Sequence, residues 1–537
     1  MSSSAAIPGL YYTFVRPPAE PSPVRTDIAG FFGLTARGPL CTPVRVAGWR
    51  EYMDVFGGLN AGAITSYAVN GYFNNDAEVA YIVRLLGAGS QAATGTWNVG
   101  TIDATTGKLD PDWPGAGGFQ AIQYQIIASS PGTWANNATV AIRYWAKGPA
   151  GKPELEFAVT PQNESGEILS GIDPGCVVDE VNAQSKFIQL QATPLPAGVT
   201  VAALSATAGP TYLEWQGSVP PRSQATLSGG VTVAPEKKDF LDAVRVLGDQ
   251  IEVALVVSPD LYSTCTIDES DQIEIITAML TQAALLHDRL VILDVPPAHA
   301  DALDAVAWFD SEFRAVLPEA TLQNAAVYHP RVKVPDPLGG VVNPLRCVPC
   351  AGLVAGVVSR LDLQEGAYFT PANAPVTSAV DLSQSLDAND QAAIYAGGLN
   401  LLKCSPTQGL LVWGGRVLGK DLLGGYVAHR RLIHLLVRSI RRVAEPLVFD
   451  TNGPQLWLSF VRSITTVLLE AFRAGALQGA TPDQAFRVQC DASTNPASQI
   501  EQGMVVCLVQ VAPAVPMEFI TLRVSVSAQG QLEVFES

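Results

Sequence analysis

The stretch SDQIEIITAMLTQAALLHDRLVILDVPP, Ser270 to Pro297, decides the reading of the fold. Its first twenty residues carry apolar side chains at helical spacing. Then Leu290 to Leu293 runs apolar without alternation and stops at Asp294, Pro296 and Pro297. A long helix feeding a short, continuously apolar strand is the unit of an α/β sheet covered on both faces. The same grammar recurs on both sides. DIAGFFGLT (Asp27–Thr35), VAYIVRLLG (Val79–Gly87), IEVALVVSPDL (Ile251–Leu261) and NAAVYHPRVKV (Asn324–Val334) read as buried strands. GWREYMDVFG (Gly48–Gly57), SYAVNGYFNND (Ser66–Asp76) and DFLDAVRVLGDQ (Asp239–Gln250) read as helices between them.

Between these blocks the composition changes. Gly, Thr, Pro, Ser, Gln and Asn rise, and short alternating runs appear, such as FQAIQYQIIAS (Phe119–Ser129) and ATVAIRYWA (Ala138–Ala146), separated by turn-forming SPGTWANN and GPAGKP. That pattern predicts an all-β insertion over 96–235. The expected order is an N-terminal arm over 1–25, an α/β domain from 26–95 and 236–345, a C-terminal domain over 346–515, and a C-terminal strand arm over 516–537. From Leu353 a strand is expected, and later two helices, Tyr426–Val443 and Leu456–Ala474. The fold class is thus α/β and α+β multidomain. At 537 residues the chain exceeds what one core supports.

Composition excludes several classes. The hydrophobic share is 48% and the charged share 15%, so the chain is not disordered in bulk. A net charge of −17 argues against nucleic-acid binding, which needs excess Lys and Arg. No apolar run is long enough to predict a membrane span. MSSSAAIPGL lacks a basic n-region, and eight cysteines are too few for a disulfide scaffold; synthesis in a reducing cytoplasm is expected.

Chemistry-bearing motifs are sparse. GAG at Gly87–Gly89 lacks the rest of a dinucleotide fingerprint. Cys347 and Cys350 form a lone C-x-x-C without a second pair for zinc, and a Gly-rich β stretch is expected after it. His429 and His434 lie about 140° apart on a helix, which excludes a shared metal. His299 with Asp301 and Asp304 reads as a capped helix start. No catalytic, cofactor or metal residue is assigned, and no enzyme is expected.

Three segments carry an interaction signal. In YVAHRRLIHLLVRSIRRV (Tyr426–Val443), Arg430, Arg431, Arg438, Arg441 and Arg442 fall with His434 in an arc of about 120°. No acid intervenes before Glu445, which predicts a docking face for an acidic partner. Near the start, Leu10, Tyr11, Tyr12, Phe14 and Val15 make a strand apolar on both faces, followed by Pro17, Pro18, Pro21 and Pro23. That spacer is stiff, and ten such residues reach about 30 Å. At the other end Ile520, Leu522, Val524 and Val526 line one strand face, and Gln529-Gly530 predicts a turn into Leu532 and Val534. Unpaired strands of this kind serve to extend a neighbour's sheet.

An ordered series of segments resembles the sheath proteins of contractile phage tails and contractile injection systems. It includes PGLYYTFV, IAGFFGLTARGPLCTPVRVAGWREYMDVFGG, SPGTWANNATVAI, LLHDRLVILDVP, LNLLKCSPTQGLLVWGGRVL, LVFDTNGPQLW and GALQGATPDQAFRVQCD. YFTPAN and VPCAG depart modestly from the family pattern. The resemblance implies a metastable helical homopolymer of stacked rings around an inner tube. Strand arms would be exchanged between subunits, the β insertion would face outward and the C-terminal domain the tube. Contraction would drive the tube through a target envelope. Implied partners are further copies of the chain, the inner tube protein, baseplate and terminal cap proteins, with paralogous sheath subunits a further candidate. The product would be a virion-like or injection particle, released or membrane-anchored. On that reading the five arginines face the tube. Two other readings remain open: an α/β enzyme with a β appendage, and a secreted β-rich adhesin.

Overall fold

The computed structural model describes residues 24–103, 109–110, 119–147, 152–162, 164–173, 176–192, 222–340, 342, 344–420, 425–445, 451–514, 520–526 and 532–536. The opening stretch folds as its pattern dictates. Asp268 caps the helix Glu269–Leu286 by accepting from the Asp271 amide at 2.8 Å, and left-handed His287 ends it. The strand Leu290–Asp294 follows, buried throughout.

That strand sits at the centre of a nine-stranded sheet. In spatial order the strands are Ala374–Pro375, Gly409–Trp413, Asn400–Ser405, Ala325–His329, Leu290–Asp294, Leu255–Val257, Ala29–Gly33, Ala80–Arg84 and Val44–Val46. The six from Asn400–Ser405 to Ala80–Arg84 run parallel, and antiparallel strands close both edges. Strand alternation divides the core in two. Phe31, Leu255, Val257, Leu290 and Ile292 pack on one face with the helices Trp49–Phe56, Ile64–Asn74 and Ala351–Glu365. Phe32, Val256, Val291 and Leu293 pack on the other with the helices Lys237–Gly248, Glu269–Leu286 and Ala302–Phe309.

Three expectations need correction here. The boundary expected at 345/346 does not divide the domains, because the hairpin Asn400–Trp413 hydrogen-bonds to the edge of the parallel sheet and keeps residues up to about 420 in the α/β unit. The strand expected from Leu353 is the helix Ala351–Glu365. A short apolar run has no period that separates buried helix from buried strand. The insertion is not all-β. Its two four-stranded antiparallel sheets enclose Trp97, Ile126, Phe157 and Ile188, but the helix Val177–Gln184 contributes Val177 and Val181 to the same core.

The C-terminal unit has its own core. The helices Val427–Ala444 and Pro454–Arg473 pack Leu432, Leu436, Val437 and Ile440 against Trp457, Phe460, Ile464 and Leu468. A four-stranded antiparallel sheet covers them, in the order Phe486–Gln489, Val505–Val511, Ile520–Val526, Leu532–Glu536.

Candidate functional site

The helix Val427–Ala444 is buried along both sides. Its apolar stripe belongs to the C-terminal core, and its arginine stripe meets the α/β unit. The helical phase read from sequence is correct, but the facing is not. Arg430, Arg431 and Arg438 are 1%, 3% and 7% exposed, so they present no surface to an inner tube. Their acidic partner is the chain itself. Arg431 donates to the Asp362 carboxylate at 2.5 Å and to the Thr26 carbonyl at 2.7 Å. Arg441 donates to Asp288 Oδ2 at 3.0 Å, and Asp288 Oδ1 receives Arg289 at 2.9 Å. Arg430 donates to Asn324 Oδ1 at 3.0 Å and to His434 Nε2 at 3.2 Å. Arg442 is half-buried.

Arg438 gathers main-chain oxygens. It donates to the carbonyls of Asp288 and Arg25 at 2.9 Å each, of Glu252 at 3.2 Å, and of Val253. Together Arg431 and Arg438 hold the carbonyls of Thr26 and Arg25, the residues that directly follow the proline spacer. Thr26 Oγ1 also donates to Asp362 at 2.6 Å. The root of the N-terminal arm is therefore clasped by the C-terminal unit. Burial pulls the Arg438 guanidinium down to about 10, against the opposing pull of Asp288. Burial first, then Arg430 and Arg438, hold His434 far below its usual value, so it serves Arg430 as a neutral acceptor.

The remaining candidates are structural in their contacts. His299 bridges Asp304 at 2.9 Å and Glu269 at 3.0 Å and stacks on Trp308, while Asp301 caps the following helix. Cys350 opens a helix after all, but burial raises its thiol, with Asp294 adding to the effect, so it is not activated. Among the described residues no His/Cys/Asp/Glu group could hold a metal ion, and no helix is long and apolar enough to cross a membrane.

A pH dependence follows from His329. It is 2% exposed, and Gln384 Nε2 stands 2.8 Å from its Nε2, which makes that nitrogen an acceptor on a neutral ring. Burial lowers it from 6.5 to about 4, with a hydrogen bond to the Ala300 backbone opposing. The folded chain thus binds fewer protons than the unfolded one between those values. Its contribution is complete above pH 6.5 and is lost as pH falls toward 4, about 3 kcal/mol in all. The expected result is a thermal midpoint that drops steeply over that window, with the slope flattened in His329→Gln; an equal slope in the variant would exclude this source.

The comparisons with known proteins bear on the whole chain. Residues 421–527 match the phage tail sheath C-terminal domain. A tail sheath protein of Vibrio phage KVP40 is 28% identical over 182 residues, 33% of this chain and 26% of that protein. A prophage major tail sheath protein of Pseudomonas aeruginosa UCBPP-PA14 is 25% identical over 324 residues, 59% of this chain and 76% of that one. The helical sheath of the anti-feeding prophage in its contracted state has the same fold. It superposes with a TM-score of 0.53 at 18% identity, covering 96% of this chain and 98% of that chain.

The chain is similar to tail sheath proteins.

The KVP40 match spans about a quarter of that phage protein's length. The sheath C-terminal match begins at 421, just beyond the α/β sheet, and takes in the arginine helix and three of the four strands of the C-terminal sheet, all but Leu532–Glu536. Of the strand-arm residues, Leu10, Tyr11, Tyr12, Phe14 and Val15 lie outside the described residues. Ile520, Leu522, Val524 and Val526 lie in a strand that pairs along its whole length with Val505–Val511 of the same chain, and Leu532–Glu536 adds to its far side. Sequence reasoning missed Asp288 and Asp362, which answer the arginines. Neither stands out locally, and only the three-dimensional contact reveals them.

Proposed function

We propose that this chain is a sheath subunit of a contractile phage tail or injection particle, structural rather than enzymatic. Copies assemble in the bacterial cytoplasm into a metastable helical sheath around an inner tube, between baseplate and terminal cap, and contract to drive the tube through a target envelope. The helical, contracted assembly of the anti-feeding prophage sheath supports the reading, as does the matched sheath C-terminal domain.

The observation that carries the reading is the seating of the strand Ile520–Val526. Seven residue pairs join it to Val505–Val511, from Ile520 opposite Val511 to Val526 opposite Val505. It is held at the end of the chain by sheet pairing, the kind of contact that an equivalent strand of a second copy reproduces in the same register. Each main-chain hydrogen bond contributes about 0.5–1.5 kcal/mol net, so a seven-residue strand is enough to link subunits. The apolar segment Leu10–Val15, tethered by prolines to the clasped root at Arg25, is the second linker. Inner-tube contact falls to other surfaces of the C-terminal unit, since four of the five arginines bond within the chain.

The test is deletion of residues 1–16. The truncated chain is expected to remain folded by circular dichroism, to sediment as separate subunits, and to give no tubes in negative stain where the full chain gives tubes with cogwheel cross-sections. Tubes persisting in the truncated chain would overturn the arm model.

A further inference from the structure

We propose that Cys490 and Cys507 form a modification site: a cross-strand dithiol that a small disulfide oxidant such as oxidised glutathione converts to an intramolecular disulfide, stapling the C-terminal sheet. The register places them. Gln489 stands opposite Leu508 and Val488 opposite Val509, so one step further sets Cys490 opposite Cys507. The hydrogen-bond parity defines the kind of pair. Ala512 donates to the Ala485 carbonyl at 2.8 Å. On the same side, the N–H of Val506 is taken by Asn495 Oδ1 at 2.7 Å and its carbonyl by Asn495 Nδ2 at 3.0 Å. Even-numbered residues of Val505–Val511 therefore address the Phe486–Gln489 side, and odd-numbered ones address Ile520–Val526. Cys490 and Cys507 consequently occupy a non-hydrogen-bonded pair, where facing side chains stand closest and a disulfide spans the strands with little adjustment.

The facing thiols interact. The interaction holds Cys490 below its usual value and pushes Cys507 up. Asn495 Nδ2 lies 3.7 Å from Cys490 Sγ and supports charge there. Cys490 is 8% exposed and Cys507 2%, which makes Cys490 the entry point and Cys507 the resolving thiol. In the first step the Cys490 thiolate attacks one sulfur of the oxidant, forming a mixed disulfide and expelling one glutathione thiolate. In the second, Cys507 loses its proton and attacks Sγ of Cys490. The mixed disulfide breaks, and the second glutathione leaves. Two protein thiols are oxidised and one glutathione disulfide is reduced to two thiols. The staple closes the loop Asp491–Val506 and draws the edge strand Phe486–Gln489 onto its neighbour. This chemistry does not depend on the sheath reading.

The test uses the full chain, incubated with oxidised glutathione until the exposed Cys176, Cys265, Cys347 and Cys404 are modified. The chain is then alkylated in denaturant and digested after Glu501, which separates Cys490 from Cys507 in sequence. Expected is a linked pair of peptides carrying both residues, in a chain that runs as a monomer without reductant. The midpoint of the C-terminal unit's thermal transition should rise by about 5 °C, and Cys507→Ser should lose both the linkage and the rise. Recovery of both residues as alkylated thiols, or of Cys490 held only as a glutathione adduct in the parent chain, would overturn the proposal. An equal thermal rise in Cys507→Ser would do the same.

Discussion

Arg438→Ala is expected to lower the stability of the folded chain by about 3–5 kcal/mol and to free the root of the N-terminal arm. The size follows from what the side chain leaves behind. Four main-chain carbonyls, those of Asp288, Arg25, Glu252 and Val253, take their donors from this one guanidinium. An acceptor stripped of its donor in a buried setting costs about 1–3 kcal/mol, reduced where water enters, and the lost packing of a 7% exposed side chain adds to it. Arg438→Lys is expected to recover less than half of the loss, because a single ammonium cannot span a fan of oxygens set for a planar fork. The measurement is denaturant unfolding of both variants, joined to limited trypsin digestion. Arg25 is itself a trypsin site, and its carbonyl is one of the four acceptors. Cleavage after Arg25 should accelerate at least tenfold in Arg438→Ala under conditions where the chain is still folded, while cleavage at the well-exposed Arg245 is unchanged. Acceleration at both sites alike would mean global loosening instead of release of the root, and a stability change under about 1 kcal/mol would contradict the accounting.

The clasp gives the proposed arm a mechanical setting. A strand inserted in a neighbour pulls on its own chain through the proline spacer, and the pull arrives at Arg25 and Thr26. Those residues are held by Arg438 and Arg431 from the C-terminal unit, and by Asp27 and Glu78, which bind the Arg25 side chain within the α/β unit. The Asp27 hydrogen bond is also what raises the Arg25 guanidinium further above its ordinary value. Load entering at the root is thus shared between the two units. It falls on charge-assisted hydrogen bonds, the stronger class of such contacts.

What was legible in the sequence, and what was not, follows the range of the interactions. Leu290–Leu293 was readable because a strand segment buried on both faces is apolar at every position, whatever lies beside it. The arginine stripe was readable as a phase because helical geometry is local. Its facing was not, since Asp288 and Asp362 stand 153 and 69 residues away from the arginines they answer. The helix Ala351–Glu365 was misread for a different reason. Gly352 and Gly356 look like breakers, yet they admit the neighbouring helix. A Cβ on Gly352 would lie 2.7 Å from Ala68 Cβ, and one on Gly356 2.6 Å from the Tyr72 carbonyl. The alternation of Ile520–Val526 announced a strand without naming its partner, because period two specifies a face and says nothing of an edge.

Asp260→Ala is expected to cost about 4 kcal/mol, and Asp260→Asn more than half of that. The residue ends the apolar run VALVVSPD and is fully buried. Its Oδ2 accepts from the Leu34 amide at 2.8 Å, the Thr65 amide at 3.2 Å and Thr65 Oγ1 at 2.6 Å. Its Oδ1 accepts from the Ile64 amide at 2.8 Å and Ser263 Oγ at 3.0 Å. The carboxylate therefore caps the helix Ile64–Asn74 from outside, where the local cap residue Ala63 offers no side-chain acceptor. It sits at the positive end of that helix and ties it to the end of the strand Ala29–Gly33. Gly33 leaves the room, since a Cβ there would fall 2.0 Å from Thr65 Oγ1. Alanine strands three amides and opens a void, each amide costing about 1–3 kcal/mol before relaxation. Asparagine keeps the shape, but both oxygens are acceptors here, so its amide nitrogen must face donors whichever way it turns. Equilibrium unfolding in urea checks the energies, and hydrogen exchange should show lost protection first at Ile64 and Thr65. Asparagine within about 0.5 kcal/mol of the parent chain would show that one oxygen does the work alone, and that the two-sided tie between helix and strand is not what holds this corner of the sheet.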